Sequence, residues 1–508
     1  MKLIRNASDW AALGLAVAAG ACEKGFTDLN TNPNQPTEVP VEYILPEAFE
    51  TTLGMGYGVS RYNYGYGAAF FSSLFCQHWA SIQYTDADRY DLGAFTPGNL
   101  WYFLYANSLK DWQTVIDKST EIGLVNREAT GRVMKVFTFH FLTDVWGDVP
   151  YSEALQGDDP GSTNTPAYDR QKDIYASMVS ELGTALELID PGARSWGPED
   201  LIYGGDMDAW ARFANSLRLR LGMRMAYAAP AAARAAVQAS ASHAAGLITD
   251  NAQNGELEYR LSAPNQSPLF YNARTRDDFA PSKTLVDYMA ARDDPRLPIY
   301  AEPAASDGQF RGAPNGVASG NVPPLPTISR IGNYWRGGQG SIASYPEAAT
   351  TPTLLVTAAE VHFLLAEAAL RGWSVPGTAR NHYEAGVRAA MDQYDGAMGI
   401  AIPTSAVEAY LAQPGVAWGT APSGDNLELI IGQKWLALYT NGFEGYAEYR
   451  RTGYPAEIAP GPDAFFPFVP GRIPYPDSEQ SLNRANWEAA LAAQGIDGTY
   501  TGKVWWMR

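Results

Sequence analysis

Apolar side chains recur at helical spacing along most of this chain, and no other feature constrains its fold as strongly. After Pro166, residues Ile174, Met178, Leu182, Leu186 and Ile189 fall on one helix face until Asp190-Pro191-Gly192 stops it. Asp208 is placed to cap the next stripe, Trp210, Phe213, Leu217, Leu221 and Met225, with Pro230 beyond its end. Leu354, Ala358, Val361, Leu365 and Ala368 make a third stripe; Glu367 and Arg371 stand one turn apart on it, in the favourable acid-before-base order. Gly372 and Pro376 separate it from Ala379, Tyr383, Val387, Ala390 and Tyr394, and Leu427, Ile430, Ile431, Trp435 and Leu438 form a fifth. Paired stripes with short breaks predict antiparallel helix hairpins of tetratricopeptide type. No clean 34-residue repeat is present, so any repeats have diverged. The expected fold is mostly α: a tetratricopeptide-like helix-pair scaffold carrying long loop-rich insertions.

Three stretches interrupt the stripes. Residues 54–67 are Gly/Tyr-rich; residues 256–345 are Pro- and Gly-rich with Phe270, Tyr271, Tyr334 and Trp335 among them; residues 455–485 are irregular. Long loops on a rigid helical body are where binding usually sits. The N-terminus has a different logic. Lys2 and Arg5 precede an apolar run, Trp10 to Ala19, that is too short to span a bilayer and reads as an export signal over residues 1–21. The small residues before Cys22 resemble a lipobox, which makes Cys22 the expected lipidation site and residues 22–45 a lipid-anchored tether. Residues 46–508 are expected to form a single domain. In the tether, Asp28, Asn30, Asn32 and Asn34 alternate like calcium ligands, but Pro33 and Val39 stand where an EF-hand loop needs Gly and Glu, so Asx turns explain the run better.

Charge and motifs exclude several functions. With 37 Lys+Arg against 55 Asp+Glu the formal net charge is −18, which argues against nucleic acid as a partner. Two cysteines rule out a disulfide scaffold and a cysteine-built zinc module. His78, His140, His243, His362 and His382 show no metal-ligand spacing. Metalloprotease, P-loop, nucleophile-elbow and dinucleotide-loop motifs are missing, so no catalytic residue, cofactor or metal is predicted. Asp144, Asp148 and Glu153 cluster at a helix end beside Gly and Pro, where capping and turn roles suffice. The 29 Tyr and 14 Trp remain. Sugar rings offer apolar C–H faces that stack on such side chains while polar groups bond the hydroxyls. Trp79, Tyr84, Tyr90, Trp101 and Tyr102, with Gln83, Asp86, Asp88, Arg89 and Asp91 between them, have that composition. The helical spacing of Trp101, Tyr105 and Trp112 points instead to core.

An ordered set of motifs carries a family resemblance. It runs from FTDLNTNPNQPTEV (26–39) through LTDVWGDVPYSEAL (142–155), PAYDRQKDIYASMVSEL (166–182), GDMDAWARFANSLRLRLGMRM (205–225) and DDPRLPIY (293–300). It continues with AEVHFLLAEAALRGW (359–373), GQKWLALYTNGFEGYAEYRRTGYP (432–455) and GRIPYPDSEQSLNR (471–484). This set resembles the SusD/RagB family of nutrient-binding outer-membrane lipoproteins. The resemblance implies a surface-exposed lipoprotein that captures glycans, sometimes peptides, and passes them to a SusC-like TonB-dependent transporter. Within the motifs, Arg218, Arg220 and Arg224, and Arg450 and Arg451 near Glu444, read as ion pairs and packing. The expected ligand residues, chosen by physical type on the loops, are Trp79, Tyr84, Arg89, Asp277, Tyr334 and Trp335. On that reading Trp335→Ala weakens ligand with little change in stability. Two readings from other classes remain at this point: a glycoside hydrolase on a helical scaffold, and a protein-binding assembly scaffold.

Overall fold

A computed structural model of the chain describes residues 39–54, 69–338 and 344–508. The expected signal peptide, Cys22, the tether up to residue 38 and residues 55–67 of the Gly/Tyr-rich stretch lie outside the described residues. The first described helix, α1 (Val41–Leu53), begins inside the segment expected as tether. Then come α2 (Ala69–Phe75), α3 (Lys110–Glu121), α4 (Val125–Trp146), α5 (Gln171–Leu188), α6 (Met207–Arg224) and α7 (Pro230–Ala241). The C-terminal half adds α8 (Ala358–Leu370), α9 (Ala379–Asp392), α10 (Asn426–Ala437) and α11 (Gly442–Thr452).

The helices stack as a series in which each hides the stripe of the one before. α3 packs on α4, α4 on α5, α5 on α6 and α6 on α7; α8 leans on α6 and packs against α9 and α10. Three of these contacts are close because glycine occupies the crossing. A Cβ at Gly131 would lie 2.9 Å from Ile116 Cγ1, one at Gly222 3.1 Å from the Ala236 Cβ, and one at Gly386 2.8 Å from Phe363 Cε1. α4 has neighbours on several sides and buries nearly every residue, so its sequence carries no amphipathic stripe.

Caps and strands depart from the sequence reading in two places. α6 is capped by Asp206, whose carboxylate accepts from the Ala209 N–H at 3.0 Å, while Asp208 sits in the first turn. The N-cap is the last residue with extended backbone before the helix, and that residue is Asp206; Asp208 is already helical. Leu354 does not extend α8 backwards; it lies on a strand, and Thr357 caps the helix through the Glu360 N–H. That strand belongs to one of four two-stranded antiparallel ribbons among the described residues. They are β1 (Trp79–Ser81) with β5 (Phe279–Pro281), β2 (Val149–Pro150) with β3 (Tyr168–Asp169), β4 (Gly255–Leu257) with β8 (Thr353–Val356), and β6 (Ala301–Glu302) with β7 (Arg330–Ile331). Three of these ribbons, β1–β5, β4–β8 and β6–β7, take strands from the 256–345 insertion or its edge.

The motif arginines form a buried ionic network at the centre of the stack. Arg220 holds Glu360 through two nitrogens at 2.7 and 2.6 Å. Arg224 reaches Glu448 at 2.8 Å, Asp144 at 3.3 Å, and Glu444. Arg451 grips Glu367 and Glu448, and Lys434 adds 3.4 Å to Glu448. Burial pushes the Glu444 carboxyl up, but Arg220, Arg224 and His140 outweigh it and hold it well below the usual range. Arg450 spends its charge on the carbonyls of Asp144 and Gly471 and lies 3.9 Å over the Tyr446 ring.

Candidate ligand-binding face

The loop after β1 is pinned from below. Asp88 is buried and accepts from the Ser81 N–H at 3.2 Å, the Gly316 N–H at 3.1 Å and the Asn315 amide at 2.8 Å. Burial nevertheless pushes its carboxyl up to about 7. Above it Tyr84 turns outward at φ +52 and is 70% exposed. The Arg276 guanidinium lies 4.8 Å over the Tyr84 ring and bonds Asp278 at 2.6 Å, so the aromatic is backed by a fixed cation. Arg89, at the end of the same loop, faces elsewhere. It donates to the Asp463 carbonyl at 2.7 Å, pairs with Asp86 at 3.2 Å and covers the Phe465 ring at 4.0 Å, tying the loop to the 455–476 segment.

Asp277 neighbours Arg276 in the chain and has φ +117, a strained value for a residue with a Cβ. Its carboxylate takes Arg330 at 2.6 Å and Arg336 at 3.3 Å. Arg336 closes the short helix Asn333–Arg336 that carries Tyr334 and Trp335. Asp277 thus gathers Arg330 and Arg336, its chain neighbour Arg276 lies against Tyr84, and Arg274 donates to the Arg336 carbonyl, whereas the Tyr334 ring packs on Trp335 and Tyr394 instead. The only sequence trace of these arginines is their number within one insertion of an acidic chain.

The two expected tryptophans lie under this face. Trp79 is fully buried on β1, stacked on Phe279 at 5.8 Å and edge-on to Tyr439 at 6.4 Å. Trp335 is 2% exposed among Tyr300, Tyr334, Tyr394 and Tyr439, with ring centroids 4.9–5.6 Å away. As the face stands, neither ring offers a surface to a ligand; both form its aromatic floor.

Residues 40–476 match the SusD-like family described as starch-binding and associating with the outer membrane. The chain belongs to this family. A chitin-binding protein is similar to this SusD-like chain at 28% identity with a TM-score of 0.79, over 92% of this chain and 100% of that one. A chitin-binding SusD homolog from Flavobacterium johnsoniae matches at 25% identity and a TM-score of 0.79, over 92% and 98%. A SusD homolog from Bacteroides uniformis matches at 26% and 0.78, over 92% and 99%. Among curated proteins the sequence has no match. These likenesses accord with the tetratricopeptide-like helical fold read from the stripes.

The carboxylates weighed for chemistry are occupied in this SusD-like structure. Asp144 is not a cap: it is buried in the ionic network and accepts from Tyr175 at 2.5 Å and the Trp506 indole at 2.7 Å. Asp148 caps the start of α5 through the Gln171 N–H at 2.8 Å, and Glu153 accepts from the Ala167 N–H at 2.8 Å. His140, Asp144 and Glu444 place ligand atoms within 4.8 Å of one another, a grouping that sequence spacing missed because Glu444 comes from α11. Arg224 contacts both carboxylates, so an arginine supplies the cation there. Glu153 also borders a cleft of about 500 Å³ with Trp101, Tyr105, Lys110, Asp158 and Glu479. Trp101 is buried in its wall, so this cleft lacks an open ring like that of Tyr84.

Proposed function

We propose that this SusD-like protein captures glycans at the cell surface on its loop-rich face and delivers them to a SusC-like TonB-dependent transporter. Lipid on Cys22 would hold it at the outer membrane. The observation that carries the reading is Tyr84: an aromatic ring 70% exposed and backed by Arg276, beside the carboxylate and guanidinium groups that sugar hydroxyls require. The family description and the two chitin-binding relatives support a carbohydrate ligand. On this reading Tyr84 stacks on a sugar face, Asp277 and Tyr334 contribute polar contacts, and Trp79 and Trp335 keep the floor rigid. Arg89 holds the loop rather than the ligand. No helix among the described residues is long and apolar enough to cross a membrane.

Calorimetric titration of the mature protein with a glycan panel tests this. The expected result is saturable glycan binding that Tyr84→Ala weakens. Failure on every glycan together with tight peptide binding would replace the glycan half of the reading. Co-purification of a TonB-dependent transporter from detergent-solubilised membranes checks the delivery step.

A further inference from the structure

Two histidines that the chain keeps apart stand ring to ring on the helix scaffold. His362 lies on α8 and His382 on α9, and the packing of that hairpin brings their Nδ1 atoms to 3.2 Å. They are 20 residues apart in sequence, so a reading of ligand spacing does not find them. Their other nitrogens are committed. His362 Nε2 lies 3.2 Å from the Thr249 carbonyl oxygen, and His382 Nε2 lies 2.5 Å from that of Pro376. The chain closes tightly over the second ring: Gly377 has φ +82, and a Cβ there would lie 2.8 Å from His382 Nε2.

The proton count decides what the pair can do. A carbonyl oxygen only accepts, so both Nε2 atoms carry the hydrogen. A neutral imidazole has a single N–H, so both Nδ1 atoms are then bare lone pairs turned on each other. Two acceptors at 3.2 Å are a misfit unless a cation lies between them, either a shared proton or a metal ion. Burial pushes the His362 ring below its ordinary value and His382 pushes the same way, so a proton is the poorer occupant at neutral pH. A metal suits the nitrogens: bonded to each imidazole at about 2.0–2.1 Å, a tetrahedral ion holds two of them about 3.3 Å apart. The ring centroids are 5.5 Å apart, and the rings have to tip about their carbonyl contacts to aim both lone pairs at one point. An Nε2–H bonded to a backbone carbonyl is the support that metal-bound histidines ordinarily have. Both rings are half-buried, so water can complete the shell, and no third His, Cys, Asp or Glu among the described residues joins them.

We infer that His362 and His382 form a surface site for one late first-row divalent cation, Cu2+, Ni2+ or Zn2+, bound through their Nδ1 atoms so that it staples α8 to α9. Imidazole nitrogens suit these ions, whereas Mg2+ and Ca2+ take oxygen ligands. The site is built on the scaffold from residues that the ligand-binding face does not use, so it stands whatever ligand that face captures.

Calorimetric titration of the mature protein, free of any added histidine tag, with CuCl2, NiCl2, ZnCl2 and MgCl2 tests this. One ion per chain is expected, with Cu2+ the tightest and Mg2+ not bound. His362→Gln and His382→Gln should each weaken binding by at least ~10-fold, the loss that even a supporting partner of a metal ligand brings. His243→Gln, outside the pair, should leave binding unchanged. Ni2+ should raise the melting temperature of the native chain and not that of either pair variant. The electron paramagnetic resonance spectrum of the Cu2+ complex should show two coordinated imidazole nitrogens in the native protein, a readout that needs no variant to fold. Failure of all three transition metals to bind would overturn the inference. So would binding that survives the double substitution His362→Gln/His382→Gln, or a Cu2+ spectrum with fewer than two nitrogens.

Discussion

Arg451 and Glu367 meet inside the helix stack, two guanidinium nitrogens on two carboxylate oxygens at 2.7 and 2.5 Å, both side chains out of reach of solvent. One comes from α11 and the other from α8, 84 residues apart in the chain. Glu367 also keeps Arg371 one turn on, at 2.9 Å.

Breaking that pair by removing one charge should be costly. Glu367→Gln is expected to lose about 3–5 kcal/mol, because Arg451 then stays buried with less of its charge matched. Glu384→Gln, at the exposed pair with Arg380, should change stability by only about 0–1 kcal/mol. Denaturant unfolding of the two variants measures the contrast; equal losses would mean that burial does not set the value of these pairs.

Trp210 is fully buried against Phe49, Tyr203 and Phe213, and its indole donates to Asp200 at 2.7 Å. Trp210→Ala should destabilise the protein by about 3–5 kcal/mol. An unchanged melting temperature would exclude it from the core.

Two carboxylates should give opposite pH trends. Asp88 is raised from 3.8 to about 7 by burial, so the folded chain holds its proton more tightly than the unfolded one. Its contribution to stability falls as pH climbs through that window. The melting temperature of the native protein relative to Asp88→Asn should therefore decline between pH 5 and pH 8; a constant difference would show that Asp88 does not titrate there. Burial pushes Glu448 up, but Arg451, Lys434 and Arg224 outweigh it and hold its carboxyl down to about 2. Its contribution is present above 4.5 and disappears as pH falls towards 2, so acid unfolding should begin in the ionic network.

Tyr84 and Trp335 should separate binding from folding. Tyr84→Ala, at an exposed ring, is expected to weaken glycan by roughly 5-fold or more. Its stability should stay within about 0.5 kcal/mol of the parent. Trp335→Ala, in the aromatic floor, should cost about 3–5 kcal/mol of stability. This reverses the expectation drawn from sequence, where Trp335 was a ligand contact that folding could spare. Paired melting and binding measurements decide between the two patterns.

The scaffold was legible wherever one face of a helix is buried and the other is wet. The stripes of α5 and α9 have that character, while α6 and α10 showed a stripe although most of their other residues are buried as well. α4 was less legible because it is buried on nearly all sides. The ionic network was readable in kind, since Arg220, Arg224 and Arg451 sit on helices near acidic residues. Its pairings were not, because they join segments up to 306 residues apart. The face was harder still. Loops have no period, so Trp79 and Trp335 had the composition of contacts while their burial depends on Tyr439, in the turn after α10, and on Tyr300, at the end of the short helix Leu297–Tyr300. Tyr84 and Asp277 were recoverable as side-chain types; their arginine partners were not.

Helix-pair arrays can ordinarily lose or gain a unit, because each unit touches only its neighbours. The ionic network removes that modularity here. Glu448 alone is held by α6, α10 and α11, and Arg451 links it to α8. Excising any one of those helices would strand a charge belonging to another. The stack should therefore melt in a single calorimetric transition, and its helix pairs should not survive as separate fragments.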